Sequence, residues 1–128
     1  MVVVAVIAIL SIVGMAAYGN VQKNARDAKR KADIHIIRNA LDAYYMDHGK
    51  YPSVSVYSVS KDVTEDGWTN AVGGTQYYAS GKAPVDPINE GTYYYKYEGV
   101  TSVPLKLGRI CATALEDGSI RYCLDPTQ

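Results

Sequence analysis

Phenylalanine is absent from this 128-residue chain and tryptophan occurs once, so twelve tyrosines carry almost all of its aromatic content. A core without Phe is built from aliphatic side chains and tyrosines, whose hydroxyls need partners once buried. Cysteine is confined to Cys111 and Cys123, and histidine to His35 and His48. No Cys-x-x-Cys pair or Cys/His cluster is spaced for a metal, and there is no nucleophile elbow or phosphate loop. Neither an enzyme nor a cofactor is expected, and the two histidines read as a surface residue and a helix-end residue. Proline is missing before Pro52 and charge is missing before Lys23. The first absence permits one long helix, and the second marks its start as something other than ordinary core.

That start, "MVVVAVIAILSIVGMAAYGN", contains one polar side chain, Ser11, between Met1 and Tyr18. An apolar run of this length is a membrane-span candidate. No basic region precedes it and helical pattern follows it, so it does not read as a cleavable secretory signal. The expected organisation is a hydrophobic helix over 1–20 and a soluble head over 21–128. Within the head, the helix continues over 21–48, a loop-rich connection fills 49–91, and strands occupy 92–128. Gly49 is a C-cap candidate and Pro52 a stop.

The charged half of the helix carries two apolar stripes. Val21, Ala25, Ala28, Ala32 and Ile36 form one; Ile34, Ile37, Leu41 and Tyr44 form the other. At about 100° per residue the two lie on different faces. The bulky second stripe is expected to pack on the head. The small first stripe permits close approach by neighbouring helices. Gly14 and Gly19 are expected weak points of the rod; the alternative for Gly14 is that it only permits close packing.

Formal charge sums to zero, but residues 20–38 hold six bases against two acids. A basic stem below an acidic head suits head-to-tail association of identical subunits, and equally a position beside anionic lipid headgroups. Basic flanks usually stay cytoplasmic, whereas the cysteine pair favours an oxidising exterior; an external head is expected. Contact of the stem with nucleic acid is not expected.

After Pro52 the chain is rich in Ser, Gly, Asn and Asp, with "GWTNAVGG" and "APVDPINEG" as loop signatures and room for one short helix or strand. "TYYYKYE" (92–98), "LKLGRICATAL" (105–115) and "SIRYCL" (119–124) read as strands. Glu116-Asp117-Gly118 forms a three-residue hairpin loop with Gly at the left-handed position. That register sets Leu115 opposite Ser119 and Cys111 opposite Cys123, which predicts a disulfide; the alternative is two buried thiols in a reducing compartment. The fold class is α+β, a long helix whose C-terminal half packs on a small antiparallel sheet.

"MVVVAVIAIL" leading into a long amphipathic helix that ends in "YYMDHGKYP", with "DPINEGTYYYKY" and a C-terminal cysteine pair, resembles type IV pilins and the pseudopilins of type II secretion. The resemblance covers nearly the whole chain. It implies a structural subunit that sits in the cytoplasmic membrane before assembly and polymerises through its N-terminal helix with inner-membrane assembly machinery. Prepilins similar to this chain carry a leader, a cleavage site and a mature start of the type "FTLIEL"; Met1 matches the position just after that hexapeptide. Many have a helix-bending proline where this chain has Ala16. Some similar pseudopilins bind calcium in the loop that corresponds to Asp86, Asn89 and Glu90. Here the spacing is short of a full ligand set and reads equally as a plain turn, so no metal is expected. The expectation is a homopolymeric cell-surface filament of the pilus type. The alternatives are a type II secretion pseudopilin and a membrane-anchored binding domain that never polymerises.

Overall fold

A computed structural model describes residues 2–52, 57–59, 77–98 and 109–125. Helix α1 runs without interruption from Val2 to His48, 47 residues, roughly 70 Å at 1.5 Å per residue. Its end has the chemistry expected of a C-cap. Gly49 takes φ 67°, a left-handed conformation that glycine adopts without a Cβ penalty, and its N–H donates to the Tyr45 carbonyl at 2.7 Å. His48 belongs to the same cap. Its Nδ1 lies 3.1 Å from the Tyr44 carbonyl and its ring stacks on Tyr44 at 4.1 Å.

Four short strands follow: β1 (Tyr57–Val59), β2 (Tyr95–Glu98), β3 (Arg109–Ala112) and β4 (Tyr122–Leu124). They form one antiparallel sheet in the order β1-β2-β3-β4. β1 is the short element allowed for in the 49–91 connection. β2 begins later than its tyrosine run suggests. Thr113 explains this: its N–H donates to the Tyr94 carbonyl and its Oγ1 accepts from the Tyr94 N–H, so a side chain replaces the ladder there. The β3–β4 hairpin matches the turn chemistry. Leu115 N–H donates to Ser119, Gly118 is left-handed at φ 92°, and Cys111 faces Cys123. The two sulfurs are bonded. "GWTNAVGG" and the 105–108 segment lie outside the described residues.

The core lies between the second stripe and one face of the sheet. Ile34, Ile37, Ala40 and Leu41 pack with Tyr95, Tyr97, Ile110 and Ala112, and Tyr44 joins from the rim. Burying an Ile or Leu side chain contributes about 1.5–3 kcal/mol, so this stripe supplies the main apolar attachment of the rod. Phenylalanine is replaced by tyrosines that bury their rings and satisfy their hydroxyls. Tyr95 donates to Asp33 at 2.8 Å, Tyr97 to the Pro52 carbonyl at 3.2 Å and Tyr51 to Asp42 at 3.1 Å. Burial and the Asp42 carboxylate push the Tyr51 hydroxyl up to about 12.

Candidate assembly interface

Below the head, α1 is bare. Every described residue from Val2 to Ala25 is exposed, including Val2 at 77 % and Ile12 at 70 %. A contiguous apolar surface of this extent marks an interaction or membrane site. Among the described residues no helix is long and apolar enough to cross a membrane. The run expected to do so includes 13–17, whose side chains lie outside the described residues, so the span stays a reading of the sequence.

All five members of the first stripe, Val21, Ala25, Ala28, Ala32 and Ile36, are exposed. They face away from the head, because the helix side at Asp27, Arg30, Ile34, Ile37 and Leu41 is the buried one. The stripe extends further than the sequence reading gave it. Met46, 86 % exposed, stands 18 residues above Ala28, a whole number of turns at about 3.6 residues each. Leu10 stands the same distance below. His35 borders this face, 3.3 Å from the Tyr122 hydroxyl.

The charged stem corrects one expectation. Its basic side chains are not all offered to lipid or to a neighbouring subunit, because Arg26 and Arg30 are spent on the chain's own head. Arg30 is 0 % exposed. It donates to Asp86 through Nε at 2.8 Å and Nη2 at 3.2 Å, and through Nη1 to Asp27 at 2.6 Å and Glu116 at 3.0 Å. Its guanidinium also covers the Tyr93 ring at 4.6 Å. Arg26 grips Glu116 with two bonds of 2.6 Å. Asp27 in turn accepts from the backbone N–H groups of Glu116 and Asp117 at 2.9–3.0 Å. Burial alone would lower the Arg30 pKa, but the bonds to Asp86, Asp27 and Glu116 raise it instead, so the group stays charged.

The clamp also engages the loop at Asp86. The carboxylate holds Arg30 on both oxygens, and Oδ1 accepts from the N–H groups of Ile88 and Asn89 as well. A guanidinium fills the place a cation would take, and among the described residues no acidic or His/Cys group is arranged to hold a metal.

The clamp sets an acid limit. The Arg26 hydrogen bonds hold the Glu116 carboxyl at about 2, below its ordinary 4.5. A depressed carboxylate contributes its full stability above the unfolded pKa and loses it as pH falls through the folded one. Burial moves Asp33 the other way, so protonation of Asp33 favours the folded chain. Glu116→Gln is therefore expected to lower the melting temperature of the full chain in detergent at neutral pH. The gap should close between pH 4.5 and about 2. A gap that does not vary with pH would remove this ion pair from the account.

Residues 17–118 match the family model for the type II secretion system (T2SS), protein G. The chain belongs to this family. No curated protein and no solved structure matches it. T2SS protein G is a pseudopilin, and membership makes this chain a pseudopilin- or pilin-like filament subunit in general outline. The matched stretch begins one residue before Tyr18 and so takes in the whole first stripe, the clamp and the hairpin loop.

Proposed function

We propose that the chain is the repeating subunit of a helical pseudopilus, with copies packed through the outward face of α1. The observation that carries this is the uncharged, exposed stripe on the side opposite the head, from Val21 to Ile36 with Leu10 and Met46 in line below and above it. A bilayer anchor has no use for a partner face at Ala28 and Ala32, which stand beside the head. The family match supports the secretion-type filament over the pilus on the cell surface. On this reading the apolar half of α1 waits in the cytoplasmic membrane and leaves it for the filament core through inner-membrane assembly machinery. Lipid and neighbouring helices offer that surface similar chemistry, so packing decides the exchange.

The expected weakness at Gly14 and Gly19 belongs to the same proposal. α1 keeps its helical hydrogen bonding through both. A Cβ on Gly19 would meet nothing within 4 Å, so the isolated fold makes no demand for glycine there. The demand is placed in the assembled state, where neighbouring rods approach.

Deleting residues 2–20 tests the proposal. The core begins at Ile34, so the shortened chain should melt as the parent does in detergent while remaining monomeric by light scattering without it. The full chain should form regular filaments by electron microscopy once detergent is removed. Filaments from the shortened chain, or none from the full one, would sink the reading. Abundant filaments in a sheared surface fraction of expressing cells would favour the pilus over the pseudopilus.

A further inference from the structure

The disulfide sits on the wrong face of the sheet to serve the core. Side chains alternate across a strand. Ile110 and Ala112 of β3 point at α1 with their partners Tyr97 and Tyr95. Cys111 lies between them, paired with Lys96 on one side and Cys123 on the other, and therefore faces away from the helix. Cys111 is buried at 1 % exposure but is not part of the cluster of Ile34, Ile37 and Leu41.

The loop that the disulfide closes does something else. Cys111 and Cys123 are 12 residues apart, and the turn between them carries Glu116 and Asp117. That turn supplies both bonds to Arg26, one to Arg30, and the backbone donors to Asp27. β4 is a three-residue edge strand of the sheet; Tyr122 and Leu124 only border the core, and the disulfide is its covalent tie to β3. Arg30 has a second hold on the head through Asp86. The described partners of Arg26 and Asp27, Arg30 apart, are all in the hairpin turn.

We propose that the Cys111–Cys123 disulfide is a redox latch that docks the stem turn 26–30 onto the head, so that reduction frees this turn while the apolar core stays folded. The reductant is a dithiol. It delivers two electrons and two protons, the S–S bond breaks, each sulfur gains a hydrogen, and the dithiol closes to its own disulfide. The hairpin then loses its staple, Glu116 and Asp117 withdraw, and the stem turn opens as a local unit. Docking of the stem turn is thereby tied to arrival in an oxidising compartment.

Hydrogen–deuterium exchange on the full chain in detergent micelles tests this, with the oxidised protein compared against the same protein in dithiothreitol and against Cys123→Ala. The variant covers the case in which the buried Cys111 sulfur is shielded from the reductant. Amides of 113–123 and of 26–31 should exchange about tenfold faster in both altered forms, while those of 34–41 stay within about twofold. Two results overturn the proposal. If only the hairpin quickens, the disulfide merely closes a loop. If 34–41 quickens equally, the disulfide is a staple of the whole fold and no latch exists.

Discussion

Replacing Arg30 by Ala is expected to cost about 3–5 kcal/mol, the range for removing one partner from a buried ion pair. The reason is what remains. Asp27 and Asp86, each 4 % exposed, would face one another's charge with no guanidinium between them. Asp86 would keep only the N–H groups of Ile88 and Asn89. Domains of this size hold about 5–15 kcal/mol in all, so the loss is a large share and the full chain in detergent should melt some 15–30 °C lower. The double variant Arg30→Met with Asp86→Asn separates charge from packing. A methionine fills the space and an amide needs no counter-charge, so part of the loss should return as a coupling of about 1–3 kcal/mol. A single variant that melts within a degree of the parent would mean the clamp is decoration.

Ala28→Trp and Ala32→Trp are expected to abolish filaments and leave the fold alone. Both positions are exposed on the face opposite the head, so an indole there meets only solvent in the single chain, within about 0.5 kcal/mol of the parent. In a filament it would hold neighbouring rods apart by several ångströms and forfeit dispersion contacts along their length. Filament yield and the melting temperature of detergent-held protein answer separate questions. Normal yield from both variants would mean the stripe is no interface, leaving the tethered, non-polymerising domain as the better reading. A large fall in melting temperature would mean these alanines pack on the head.

The long elements and the covalent link were legible because their causes are local. Gly49 and Pro52 end the helix within a few residues of where they act, and Glu116-Asp117-Gly118 fixes the hairpin register that joins the cysteines. The two stripes were legible for the same reason, since helical periodicity is a property of neighbours. The clamp was not, because its partners lie 56, 86 and 89 residues from the stem and counting charges cannot pair them. One signal was present. Asp27 and Arg30 continue the 3-and-4 spacing of Ile34, Ile37, Leu41 and Tyr44, so two opposite charges occupy the face that is otherwise core. Opposite charges at apolar positions, three apart, describe a buried pair better than a solvated stem. Strand lengths were overread because the tyrosines before β2 serve a turn, with Tyr93 N–H bonded to Glu90.

The clamp also fixes the head at one height and one angle on the rod. Each residue added between Gly19 and Arg26 would lift the head by about 1.5 Å and turn the lower part of the rod by about 100° relative to the upper. One insertion would swing Leu10 out of line with Ala28 and Met46. Seven would bring it back to within roughly 20° while raising the head by about 10 Å. The segment below the clamp therefore behaves as a ruler with a phase. On the proposed packing, insertions there are expected to preserve filaments only in steps that restore the alignment, whatever the loops of the head do.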